Sequence, residues 1–442
     1  MTKFEDMGVK IPQILFPRKG VDLSNWAVVA CDQFTSQPEY WEELYRIVGD
    51  DPSTLHLVLP EVYLESADVE KRIQHVHQTM ADYLQNDLFE KIEGFVYVER
   101  VIGDRVRKGL MVVLDLEKYD YRAGSNSIIR ATEATIVERI PPRLRIRDGA
   151  ALEVPHILIL IDDEKREIIE PLGENIEQLE VLYHSHLLMG GGEIHGYVIK
   201  QESLELKVLQ GLERLADKQY FQDRYQLPPS YEMLVFAVGD GNHSMATAKT
   251  YWEQIKGSVP NNHAARYALV ELVNLYDEGL QFEPIHRLTM GVKVDLLAKI
   301  KQFYPHNTYE ECVDAVEMKS KVNEINCDEK RSAHHRIGVI VDGKLGIITI
   351  EQPSSNLAVT SIQSFIDIGI KEKWFEKVDY IHGDEVIVAL ATKPNQVGFF
   401  LPPIDKKLLF KTVIVDGNLP KKAFSMGHAH EKRYYMECRS IR

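Results

Sequence analysis

Residues 233–252 read MLVFAVGDGNHSMATAKTYW: an apolar run, a glycine-punctuated polar turn and a small-residue segment. Met233 to Val238 fits a buried strand closed by Gly239, and Ala246, Ala248 and Lys249 are good helix formers, with Asn242 or Ser244 available as the cap. Gly239 and Gly241 permit tight or positive-φ backbone, which would aim several N–H groups and the positive end of a helix dipole at one spot, where a phosphate fits. Asp240 and His243 add a carboxylate and an imidazole able to hold a metal, orient a hydroxyl or move a proton. The same residues also fit a polar turn whose Asp and His merely satisfy backbone groups. The spacing is neither a dinucleotide fingerprint nor a Walker loop.

Elements of both kinds flank this turn. SQPEYWEELYRIVG, from Ser36 to Gly49, opens with a capping serine and Pro38 and sets Trp41, Leu44, Tyr45 and Val48 at helical spacing. A second helical region is expected from about Leu64 to Phe89. FVYVERV, LMVVLDL, VPHILILID and IHGYVI then read as strands, the first two joined through Gly103-Asp104 as a hairpin. Gln201 to Tyr225 has helical periodicity and stops before Pro228-Pro229. Beyond the turn, Tyr267 to Tyr276 is expected as a strand and Val292 to Phe303 as a helix. IGVIVDGKLGIITI reads as a hairpin about Asp342-Gly343, with further strands at Val386–Ala391, Gln396–Leu401 and Tyr434–Ser440. The fold class is α/β in the mixed α+β sense. Three regions are expected: a mixed N-terminal region over 1–226 with a basic strand, the turn and its helix over 227–304, and an α+β region over 305–442.

The 442 residues are 44% hydrophobic and 27% charged, ordinary for a globular protein. No apolar run approaches the roughly 20 residues that span a bilayer, and MTKFEDMGVKIPQ has no basic-then-apolar leader pattern, so a cytoplasmic protein without a membrane partner is expected. Cys31, Cys312, Cys327 and Cys438 show no CxxC spacing and are read as reduced. A net charge of −15 argues against nucleic acid as a partner. The locally basic segments, RVRKG from Arg105 and RIPPRLRIR from Arg139, suit a phosphorylated small molecule. GxxxxGK[ST], GxSxG and HExxH are all missing, so P-loop, hydrolase-elbow and zincin chemistry lack support.

In RATEATIVERIPPRLRIR, from Arg130 to Arg147, a strand with Leu144 and Ile146 facing a core would put Arg143, Arg145 and Arg147 on one face as a phosphate clamp. A solvated edge strand explains the same pattern, and Glu133 near Arg130 fits a surface ion pair. His184-Ser185-His186 and His428-Ala429-His430 could each present two metal ligands from a strand, although no spacing supplies a third. His286-Arg287 and SMGHAHEKRYY, from Ser425, are candidate pocket-lining groups.

Several co-ordered blocks carry a resemblance: NWAVVACDQFTSQPEYW near Trp26, IRATEAT near Glu133, GDGNHSMATAK at Asp240, FEPIHRL at His286, IHGDEV at His382 and FSMGHAHEKRYY at His428. Through them the chain resembles, over nearly its whole length, the family catalogued as domain of unknown function 1015. The central turn is also similar to the Asp-Gly-His-His-Arg signature of the ParB and sulfiredoxin-like superfamily, which includes partition proteins, sulfiredoxins and free-serine kinases. That likeness implies a ParB/sulfiredoxin-like core elaborated by additional mixed-sheet regions. Sulfiredoxins carry a reactive cysteine where this chain has Asn242, and the partition proteins' glutamate-arginine-arginine turn is missing. Against the kinase signature Asp240, Gly241 and His243 match while Asn242 and Ser244 depart. The arginine's task of neutralising phosphate would then pass to another group such as Arg143 or Arg145.

The resemblance implies a small-molecule phosphotransferase, with free L-serine as leading acceptor and ATP, ADP or pyrophosphate as donor. Asp240 would hold Mg²⁺ or the acceptor hydroxyl, His243 would contact phosphate and Glu133 would act as general base. Gly239, Gly241, Asn242, Ser244, Arg130, Arg143, Arg145, His286, Arg287 and His428 would complete the phosphate or nucleotide site. The alternative is a nucleotide- or phosphometabolite-responsive regulator that grips phosphate without turnover. The oligomeric state is left open.

Overall fold

Alternation along the central strands explains the first architectural layer. In Phe95–Ile102 and Arg105–Asp115, Phe95, Tyr97, Leu110, Val112 and Leu114 point into one buried cluster. Val96, Val98, Met111 and Val113 point into another on the opposite face, the period-two pattern of a pleated strand. Apolar side chains on both faces require the sheet to be covered on both sides, and each fully buried Val or Leu contributes about 1.5–3 kcal/mol.

The computed structural model describes residues 6–324 and 334–442; Cys327 lies outside them. The described residues divide into two units, one running to Leu280 and taking in Gly427–Arg442, the other Gln281–Met426. The first unit is built on a mixed sheet of ten strands. They are β1 (Val9–Lys10), β2 (Phe95–Ile102), β3 (Arg105–Asp115), β4 (Tyr119–Asp120), β5 (Ile129–Ala131), β6 (Leu158–Ile161), β7 (Glu180–His186), β8 (Glu193–Ile199), β9 (Phe236–Asp240) and β10 (Tyr267–Asn274). Their order is β7-β8-β2-β3-β10-β6-β9-β5-β4, with β1 beside β3. β9 runs parallel to β5 and antiparallel to β6. The partition drawn at residue 226 in the sequence therefore falls within one sheet, because β9 sits between strands from either side of residue 150.

Around this sheet lie α1 (Pro38–Val48), α2 (Val69–Gln85), α3 (Ile140–Arg147), α4 (Glu202–Leu215), α5 (Lys218–Tyr225) and α6 (Asn242–Ile255). Met245, Ala248 and Trp252 of α6 enter the first core cluster at helical spacing. In the second unit, β11 (Phe282–Met290), β12 (Asn307–Cys312), β13 (His334–Val341), β14 (Lys344–Glu351), β15 (Lys377–His382), β16 (Gln396–Phe400) and β17 (Phe424–Met426) form a seven-stranded sheet. Helices α7 (Leu296–Phe303), α8 (Ala315–Asn323), α9 (Ala358–Lys371), α10 (Asp384–Ala391) and α11 (Lys406–Val415) accompany it. Among the described residues no helix is long and apolar enough to cross a membrane.

The β2–β3 hairpin closes across Gly103-Asp104 as expected, with Ile102 opposite Arg105. The β13–β14 hairpin turns on Asp342 (φ 49°) and Gly343 (φ 74°), both left-handed as a tight hairpin turn requires. Several expectations fail. RIPPRLRIR is helix α3, not a strand, with prolines in its first turn, where their fixed φ favours helix. Val386–Ala391 lies in α10, whose buried Ile387 and Ala391 are four residues apart. Of Tyr434–Ser440 only Arg439–Ser440 pairs as a strand, with Leu152–Glu153. The second helix starts at Val69 and ends at Gln85. Gln37, not Ser36, occupies the N-cap of α1, with no side-chain cap bond.

Candidate active site

Strand β9 ends in a bulge, the register against β6 shifting between Val238 and Asp240, so Gly239 lies where the ladder breaks and the next side chain is re-aimed. Gly241, at φ 77°, takes the N-cap position of α6. An added Cβ there would meet Ile157 Cα at 3.0 Å, so both conformation and space demand glycine. The cap is therefore neither Asn242 nor Ser244, and a glycine cap leaves the first-turn N–H groups without a capping side chain. The Asn242 Oδ1 is buried without a hydrogen-bond partner among the described residues.

Asp240 accepts a bond from Gly241 N at 2.8 Å through Oδ1, and its Oδ2 lies 3.0 Å from Lys432 Nζ. The pair is mostly enclosed, with side-chain exposures of 27% and 21%. Burial works against the Lys432 charge, but Asp240, Asp32 and Glu133 outweigh it and push the ammonium above its ordinary value. Glu133 thus lies within electrostatic reach of this lysine. Burial alone would raise the Asp32 carboxyl, but His156, the Gln33 amide, Lys432 and Arg143 together hold it low, and Gln33 Nε2 donates to it at 2.9 Å.

Ile136 N donates to His243 Nε2 at 3.3 Å. A backbone N–H can only donate, so Nε2 carries the lone pair and Nδ1 the proton of a neutral ring. Burial, then Arg143 and Arg139, lower the His243 pKa to about 4. His243 therefore carries a neutral N–H rather than a positive charge. Ser244 Oγ sits 3.3 Å from His156 Nε2, and the His156 ring meets Tyr434 edge-on at 5.1 Å. Arg143 pairs with Glu61 and donates to Arg139 O. Nearby Cys31 is pushed up to about 12, by burial and then by Asp32 and Glu61, so it is a thiol and not a nucleophile.

Asp240, Gly241, Asn242, His243, Ser244, Glu133 and Arg143 thus share one region with Lys432, Asp32, His156 and Glu61, which no spacing in the sequence connects to them. Other candidates have partners of their own. Arg130 is buried and donates to the carbonyls of Ser127, Glu232 and Met233, which uses its fork on backbone. Arg145 pairs with Glu70 at the surface and Arg147 with Glu153, so the three arginines form separate ion pairs and no clamp. His286 and Arg287 are fully buried in the second unit. His286 accepts from Leu401 N and bonds Asp384, while Arg287 donates to Gln363 and Ile285 O. His428 stacks on His430 at 5.8 Å, beside the 3-10 turn Ala429–Glu431 rather than on a strand. His184 bonds Tyr197 and His186 faces Glu193. Among the described residues no group of three or more His, Cys, Asp or Glu side chains could hold a metal ion. Asp240, the expected Mg²⁺ ligand, is paired with Lys432.

Residues 15–368 match the family described as "Protein of unknown function (DUF1015)". The chain matches no curated protein. Among solved structures, a free serine kinase mutant in complex with ADP is similar over 75% of this chain and 93% of that one, at 9% identity and a TM-score of 0.38. A conserved hypothetical protein from Pyrococcus furiosus is similar over 74% and 93%, at 10% and 0.34. SbnI with a C-terminal truncation, from Staphylococcus aureus, is similar over 72% and 83%, at 8% and 0.32.

Proposed function

The chain belongs to the DUF1015 family of proteins of unknown function, and we propose that this member is a small-molecule phosphotransferase, passing a phosphoryl group from a nucleotide or pyrophosphate to the hydroxyl of an organic acceptor. The observation that carries this function is Lys432 held 3.0 Å from Asp240 at a glycine turn that opens a 14-residue helix. Phosphoryl transfer needs positioning and neutralisation of spread negative charge more than covalent chemistry. Lys432, Arg143, the first-turn N–H groups of α6 and the Nδ1–H of His243 supply donors. Asp240 and Glu133 supply carboxylates beside them.

The acceptor oxygen attacks the terminal phosphorus as the bond from that phosphorus to the leaving phosphate oxygen breaks. The electron pair departs with the leaving group, which Lys432 neutralises, and the hydroxyl proton passes to a carboxylate, Asp240 or Glu133. Lys432 takes over the task that an arginine at Ser244 would have performed. A divalent cation would have to displace the ammonium from Asp240, and no step is assigned to one.

L-Serine is the first acceptor to test, on the motif likeness alone. Phosphorus NMR of the protein with the magnesium salts of ATP, ADP or pyrophosphate and a hydroxyl acceptor, L-serine first, should show a phosphoester that disappears in Asp240→Asn. Binding of nucleotide without a phosphoester from any hydroxyl compound would sink the transferase and leave a nucleotide-responsive binding protein.

A further inference from the structure

Within the first unit α2, α3, α6 and the turn Thr54–Leu57 border a cavity of about 140 Å³. Its walls are mainly hydrocarbon: Leu57, Met80, Ala150, Leu152 and Leu269 line it, each no more than 4% exposed. Its margin is polar and is shared with the glycine turn. Ser244 and His156, 3.3 Å apart, belong to the lining, as does Arg143, whose charge acts on His243. Arg147 also lines it, and the Arg147 Nε is buried without a hydrogen-bond partner among the described residues.

A space of this volume with mainly hydrocarbon walls has room for a molecule about the size of benzene. Serine offers such a space nothing: its side chain is one carbon and the reacting oxygen. We propose that the cavity receives the compact apolar part of the acceptor, a hydroxyl compound whose hydrocarbon body is about the size of a benzene ring. The acceptor role rests on the phosphotransferase function proposed above; occupancy of the cavity is tested without it.

The test uses the full chain labelled with methyl-¹³C methionine, the Met80 signal being identified by its loss in Met80→Leu. Benzyl alcohol is the probe. A saturable shift of the Met80 methyl is expected, with apparent affinity falling at least about tenfold in Ala150→Leu, which fills the cavity, while ADP affinity by calorimetry stays within about twofold. Leu57→Ala, which enlarges the same wall, should favour 4-methylbenzyl alcohol over benzyl alcohol relative to wild type. No saturable Met80 shift, or equal shifts in wild type and Ala150→Leu with an unaltered Leu57→Ala preference, overturns the proposal. Serine phosphorylated equally by wild type and Ala150→Leu overturns it too, yet leaves phosphotransfer standing. A saturable Met80 shift with no phosphoester from any alcohol overturns both the acceptor role and the transferase.

Discussion

Separating the two members of the Lys432–Asp240 pair should split binding from turnover. At 3.0 Å and an effective dielectric of about 20, the gross attraction is about 5–6 kcal/mol. Desolvation and side-chain ordering offset most of that, and both groups are about a quarter exposed, so the net contribution is about 1–2 kcal/mol. When a phosphate arrives, Lys432 exchanges one anionic partner for another. Lys432→Met removes a charge-assisted bond to that phosphate, worth about 1.5–3 kcal/mol, and should weaken ADP roughly 10- to 100-fold. Asp240→Asn removes a repulsive carboxylate and frees the ammonium, so ADP should bind as tightly as to wild type or up to about tenfold tighter, while phosphoryl transfer is lost. Isothermal calorimetry with ADP and phosphorus NMR of turnover, on the same preparations, read the two effects. Equal loss of ADP affinity in both variants would show that the pair only holds the fold together, and the assignment of Lys432 to phosphate would fall.

Further outcomes follow from the groups around this pair. His243, lowered to about 4 by burial and then by Arg143 and Arg139, should show a neutral Nδ1–H ring that does not titrate from pH 5 to 8 in ¹⁵N NMR; a midpoint near 6.5 would refute its enclosure. Because the unfolded ring takes its proton near pH 6.5 and the folded ring only near 4, its contribution to stability is present above 6.5 and is lost as pH falls from 6.5 towards 4. Arg143→Ala should reduce transfer about 10²-fold, whereas Arg145→Ala, which breaks only a surface pair with Glu70, should change stability by less than about 0.5 kcal/mol and leave turnover alone. Comparable turnover losses would restore the clamp that α3 excludes. Cys31→Ser should retain activity, and Cys31 should resist iodoacetamide at pH 8; rapid alkylation there would contradict a thiol pushed up to about 12.

What was legible in the sequence is what local rules determine. The strand, glycine turn and helix at residues 236–255 follow from an apolar run, a residue suited to positive φ and small helix formers, all within one short window. Both hairpins follow from turn residues between alternating strands. RLRIR misleads because Leu144 and Ile146 alternate with arginines while Ile140 and Leu144 are also four apart, so periods of 2 and 3.6 fit the same eight residues; the prolines in the first turn decide it. Val386–Ala391 fails in the same way, a short apolar run without flanking structure to distinguish the periods. Arg130 looked like a ligand because nothing local reveals that carbonyls at 127, 232 and 233 converge on it. Lys432 and Asp32 lie in stretches that the sequence singles out, SMGHAHEKRYY and NWAVVACDQFTSQPEYW, but nothing local shows that they approach Asp240, and His156 carries no signal of its own; what brings the three together is a tertiary placement that joins distant parts of the chain.

That placement has a covalent consequence. The chain leaves the first unit at Leu280 and returns to it at Gly427, so the second unit is an insertion and the returning segment brings Lys432 to Asp240. Ala30 N donates to Lys432 O at 2.8 Å and Tyr434 N to Val28 O at 3.0 Å, which ties Lys432 to the backbone that carries Asp32. Further on, Trp26 Nε1 donates to Met436 O and Arg439 to Glu153, anchoring the segment in buried ground where an unpaired partner costs about 1–3 kcal/mol. Lys432 is thus fixed through its own main chain, not by the carboxylate it meets. This is why Lys432→Met can remove the charge while the backbone that presents it stays in place, and why the glycine turn alone, for all its local legibility, is half of a site.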